Sequence, residues 1–218
     1  MAPPHFNPQM FGTELTYTLI VVFLFLFVYF KTKEMYDLTK HRGIHLFRNA
    51  FLFFGLSYAT RFVFQLVQLG ALALDYRIPG MLLFPLVFPI TVYLSTMAIF
   101  YLAYSMVWEK ISHQYFLIAS NIIAVGIAVA AYLTNSPMII ALVQLPLLIF
   151  TLVKSTKGRK KKKSHMKGLY FLVSLFWLVN LFVLTPRWFV PFEIKVLLQL
   201  ASAAVFIFLA YKVLKWTG

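Results

Sequence analysis

One arginine stands where the sequence otherwise holds little but hydrocarbon. Arg61 lies deep in the run IHLFRNAFLFFGLSYATRFVFQLVQLGALAL, and Ser57, Arg61, Gln65 and Gln68 follow at spacings of four, four and three residues. That spacing puts all four on one face of a helix. An arginine at the centre of a membrane-crossing helix costs about 2.5–3.5 kcal/mol even on the mildest scale, so it faces the bundle interior and marks a functional site by default. The chemistry it offers is anion binding, because a planar guanidinium matches a carboxylate or a phosphate.

Other polar side chains reach the same depth. At about 1.5 Å of rise per residue, Gln144, Asn180 and Gln199 of three further apolar runs arrive near the level of Arg61, as do Thr91, Tyr93 and Ser95. The expectation is a single polar layer slightly outside the midplane, lined by Arg61, Gln65, Gln68, Tyr93, Gln144, Asn180, Glu193 and Gln199. Only six acidic residues exist, and Glu34, Asp37 and Glu109 belong to the opposite side. Of Glu14, Asp75 and Glu193, the last is the preferred partner of Arg61, because it precedes Gln199 by six residues on one helix. Paired, Arg61 is structural; unpaired, it is a buried cation awaiting an anionic ligand.

The elements that position these residues follow from composition. Of 218 residues, 61% are apolar and 12% charged, against about 45–50% and about 25% in soluble domains. A crossing helix needs roughly 20 mostly apolar residues, and seven segments approach that length: 13–30, 44–74, 81–108, 115–133, 137–153, 168–185 and 190–212. The fold class expected is all-α, a compact bundle of seven transmembrane helices forming one domain over residues 13–212. Short connections make successive helices antiparallel. TNSP at 134–137 supplies a tight reversal, since Asn and Pro break helices. Residues 1–12, with Pro3, Pro4 and Pro8 and no basic residue, read as an outer tail rather than a cleaved signal.

Orientation comes from the basic residues, which favour the cytoplasmic side. With the N-terminus outside and the C-terminus inside, the inner segments hold Lys31, Lys33, Lys40, Arg42, Arg48, Lys110, Lys212 and Lys215, and the outer segments hold Arg77, Arg187 and Lys195. This bias exists before the basic run between Lys154 and Lys167 is added to the inner side. The run therefore reads as a cytoplasmic loop, 154–167, in which Lys157, Arg159, Lys160, Lys161, Lys162 and Lys163 contact anionic headgroups at about 1 kcal/mol per basic residue. An acidic cytoplasmic protein is the further partner expected. No nucleic acid is expected, because the loop carries neither a folded reader nor stacking aromatics. Residues 213–218 form a cytoplasmic tail. A second basic concentration, YDLTKHRGIHLFR, holds Tyr36, Asp37, Lys40, His41, Arg42, His45 and Arg48 at the entrance of the second helix and is a candidate headgroup or partner site.

Several activities are disfavoured by residue type. A retinal pocket needs a lysine in mid-helix, but Lys195 lies near a helix end, and the third span lacks Asp and Glu. The third and seventh spans end in YSMVWEK and AVFIFLAYKV, without the Asp-Arg-Tyr and Asn-Pro-x-x-Tyr of G-protein-coupled receptors. All five histidines lie at span ends or in loops, and cysteine is absent, so neither a metal site nor a cofactor is expected. No nucleophile with a base and no carboxylate pair can be assigned, so the chain is not expected to be an enzyme. What remains is a receptor-like binding or sensory module for a small anionic or amphipathic ligand. The alternative is a transporter or channel subunit with Arg61 in an anion-favouring path.

Overall fold

The computed structural model describes residues 8–74, 80–134, 138–157, 164–183 and 190–217. These residues form seven α-helices: α1 Pro8–Thr39, α2 Arg42–Ala73, α3 Gly80–Val107, α4 His113–Thr134, α5 Met138–Lys157, α6 Ser164–Val183 and α7 Phe192–Thr217. Five of them, α1, α2, α3, α4 and α7, are long and apolar enough to cross a bilayer; α5 and α6 carry the shorter apolar stretches Ile140–Lys154 and Gly168–Val183. The chain is thus an all-α, multi-pass integral membrane protein. Helices are the available solution because lipid leaves backbone N–H and C=O groups no partner outside their own segment.

Helix ends extend beyond the apolar runs. The helix that begins at Pro8 takes in part of the expected tail, and it continues past Phe30 through KTKEMYDLT. Proline is at home in a first helical turn, where its missing N–H costs nothing. Lys40 ends α1 in the left-handed region (φ 49°), its N–H donating to the Tyr36 carbonyl at 2.7 Å, which is the usual way a helix satisfies its last carbonyls. His41 then caps α2, its Nδ1 accepting the Gly43 N–H at 3.1 Å. At the other end of the chain, α7 includes most of the expected tail. Of the two helices flanking the basic loop, α5 ends and α6 begins inside residues 154–167, and Arg159 to Lys163 lie outside the described residues.

The packing forms a ring. Going round, α1 meets α2, α2 meets α3, α3 meets α5, α5 meets α6, α6 meets α7, and α7 returns to α1; α4 packs outside, against α3 and α5. Ile118, Ile122, Val125, Val129 and Leu133 of α4 are exposed accordingly, as an apolar face turned to lipid would be.

Among the described residues, aromatic side chains fill the inside of the ring. Phe25 of α1 lies with its ring centroid 4.4 Å from Phe206, 5.6 Å from Phe54 and 5.7 Å from Phe176, and all four are buried to 1% exposure or less. Across the ring, Phe54 of α2 meets Trp177 of α6 at 4.4 Å. Where α1 and α2 approach, a Cβ on Gly55 would stand 3.3 Å from the Phe25 Cβ, so only glycine fits there without displacement.

Candidate functional site

The polar side chains expected in one layer are divided into three groups. The first is centred on Asn180 of α6. Its Oδ1 accepts from the Tyr17 hydroxyl at 2.6 Å and from the Tyr58 hydroxyl at 2.7 Å, while its Nδ2 donates to Ser202 Oγ at 2.6 Å and to the Phe176 carbonyl at 2.8 Å. Tyr17 and Ser202 stand 2.9 Å apart. Because the phenol of Tyr17 has one proton and gives it to Asn180, the hydroxyl of Ser202 donates to Tyr17 and closes a cycle. Every hydrogen-bonding position of the amide is filled. One buried residue thereby links α1, α2, α6 and α7.

The second group is centred on Gln144 of α5, which has no exposed surface. Its Nε2 donates to Ser95 Oγ at 3.0 Å and Thr96 Oγ1 at 3.3 Å, and its Oε1 accepts from Trp177 Nε1 at 2.8 Å. The proton of Ser95 goes to the Val92 carbonyl, which leaves its oxygen free to receive Gln144. Pro146 sits two residues along the same helix. The third group is a pair: Tyr93 of α3 donates to Asn121 Oδ1 at 2.6 Å, and Asn121 Nδ2 donates to the Leu117 carbonyl at 2.7 Å. Tyr93 therefore faces α4, away from Asn180.

Arg61 belongs to the rim of the first group. It is half-buried, and its guanidinium carbon lies 5.6 Å from the centroid of the Tyr58 ring whose hydroxyl reaches Asn180. No carboxylate among the described residues pairs with it. Glu193 stands exposed in the first turn of α7, and Asp75 lies outside the described residues. One helical turn beyond Arg61, Gln65 is half-buried with its Oε1 atom enclosed and unpartnered. Gln68 follows, also half-buried. Gln199 is buried, at 8% exposure. A carbonyl acceptor and a guanidinium four residues apart on one face can hold a ligand that has both an acidic oxygen and a donor, such as a protonated acid or a hydroxylated anion.

Tyr17, Tyr58 and Ser202 are the members of the Asn180 arrangement that the sequence did not single out. The signal of the two tyrosines was faint, since each sits in an aromatic-rich helix where phenylalanine and tyrosine alternate in the same role. Asn180, by contrast, stands out in LFWLVNLFV, and an asparagine in such a run must find partners.

Comparison with known proteins adds kinship. A protein of Archaeoglobus fulgidus described as uncharacterized is 31% identical over 225 residues, covering 99% of this chain and 97% of that one. No family model matches the sequence, and no solved structure matches it.

Proposed function

The chain belongs to one family with this Archaeoglobus fulgidus protein, and we propose that it is a membrane binding or sensory module in which Arg61 receives a small anionic or amphipathic ligand. The ligand approaches from the end of the bundle where α2 finishes and α7 begins, the outer side if the basic residues lie inside. Gln65 supplies the second polar contact. Tyr58 connects the site to the Asn180 cycle, so a ligand that moves the guanidinium alters contacts on four helices at once. The signal passes to the cytoplasmic end, where the basic loop meets anionic lipid or an acidic partner.

One observation carries this reading: Arg61 is a half-buried cation whose described partner is a ring face, set beside a buried amide whose every bond is made. A cation–π contact supplies about 0.5–2 kcal/mol, less than the cost of placing an arginine within a span. A transport path has weaker support, because the interior is filled by the interlocked rings of Phe25, Phe51, Phe54, Phe176 and Phe206.

Native mass spectrometry of the full chain, purified in a mild detergent, tests the proposal. The wild type retains an anionic adduct, and Arg61→Leu loses it while unfolding at the same temperature. If the two proteins retain the same adducts, Arg61 is no ligand site and the proposal fails.

A further inference from the structure

A second site lies at the opposite end of α2, away from Arg61. The corner between α1 and α2 docks on the corner between α3 and α4 through His41 and Trp108, whose rings meet edge to face at 5.7 Å. Gly43 is wedged between them: a Cβ there would stand 3.0 Å from the His41 ring and 3.2 Å from Trp108 Nε1. Beside this contact opens a cleft of about 480 Å³, lined by Arg42, Trp108, Glu109, Lys110, Ser112 and His113 among others. That volume lies within the range of small-ligand sites.

Its lining is cationic and holds an unmet polar atom. Arg42 and Lys110 are exposed and bring two positive charges against the single carboxylate of Glu109. His113 is held flat against Tyr104, at 6.0 Å between centroids and 15° between planes, and its Nδ1 is enclosed with no hydrogen-bond partner. His45, one turn into α2, lies within electrostatic reach of Arg42, Arg48 and His113. A buried nitrogen left unpaired is destabilising, and an oxyanion within hydrogen-bond reach of it would relieve that.

Depth says what the oxyanion is attached to. Trp108 to Ser112 connect a candidate span that ends at Val107 to one that begins at His113, and Arg42 is the first residue of a third. Three spans end around the cleft, so it lies where the hydrocarbon gives way to headgroups. Tryptophan is the residue that favours this level.

We propose that the cleft binds the phosphate of a phospholipid headgroup, with Arg42 and Lys110 on the phosphate oxygens, His113 Nδ1 donating a proton into the same group, and Glu109 left to accept from a headgroup hydroxyl or ammonium. Charge-assisted bonds of this kind are about twice as strong as neutral ones, and a lipid held here would tie the α1–α2 corner to the α3–α4 corner.

The test uses the full chain in dodecylmaltoside with dioctanoyl phosphatidylglycerol as probe, retention being read by native mass spectrometry. Every protein compared carries Arg61→Leu, which silences the anion site proposed there; on that background the parent protein retains the lipid, and the double variant Arg42→Gln/Lys110→Gln retains at least fivefold less. Equal retention by the double variant overturns the site. Complete displacement of the probe by millimolar inorganic phosphate overturns the lipid assignment in favour of a soluble phosphate compound. Should the double variant fail to fold, the Arg61→Leu protein decides alone: dioctanoylglycerol, which lacks the phosphate, must be retained at least fivefold less than dioctanoyl phosphatidylglycerol, and equal retention overturns the proposal.

Discussion

Asn180 and Arg61 meet on either side of one phenol and differ in what surrounds them. Tyr58 gives its hydroxyl proton to Asn180 and its ring face to Arg61. Asn180 is buried with all its bonds made; Arg61 is half-buried with no carboxylate among the described residues. A polar residue inside a membrane protein therefore carries no single meaning. Satisfied, it fastens helices together; half satisfied, it holds binding energy in reserve for something else.

The largest effect should come from the wall of the network rather than from either polar residue. Phe25 touches Phe51, Phe54, Phe176 and Phe206, so Phe25→Ala should cost about 3–5 kcal/mol in unfolding titrations from micelles. A loss near zero would mean that the ring of helices is held by polar bonds alone, and the contrast would collapse. Next comes Asn180→Leu, which deprives Tyr17 and Tyr58 of their acceptor and should cost about 2–3 kcal/mol in the same titration. Gln144→Leu sharpens the comparison. Its three partners are two hydroxyls that accept from it and an indole that donates to it; Ser95 keeps its bond to the Val92 carbonyl, so the indole N–H is the donor left without its acceptor and the loss should be smaller, about 1–2 kcal/mol. Arg61→Leu stands at the end of the series, within about 0.5 kcal/mol of the wild type, because a leucine replaces one ring contact and sheds the cost of a charge.

The seven helices were legible because the length of an apolar run is a strong signal in a chain that must satisfy its backbone in lipid. Their ends were less so. Polar helical turns such as KTKEMYDLT at the end of α1 look like loop in a reading keyed to hydrocarbon. That Gln144 and Asn180 turn inward was also legible, since an amide in an apolar run has to find partners. Their partners were not. Depth says nothing of which way a helix faces, and the ring order, with α4 outside, separates Gln144 and Tyr93 from the Asn180 group. Glu193 shows the same limit: its height on α7 suited Arg61, but its face is exposed.

The most direct test pairs stability with occupancy. Thermal unfolding of the wild type, Arg61→Leu and Asn180→Leu would be followed in dodecylmaltoside, with and without decanoate as a simple anionic amphiphile. At ten times its dissociation constant a ligand adds about 1.4 kcal/mol, which for a chain of this size is about 3–5 °C. The expected result is that decanoate raises the midpoint of the wild type by that amount, and that Arg61→Leu matches the wild type without decanoate and gains nothing from it. An Arg61→Leu protein that unfolds as early as Asn180→Leu, or that gains as much from decanoate as the wild type, would contradict the division between a fastening residue and a receiving one.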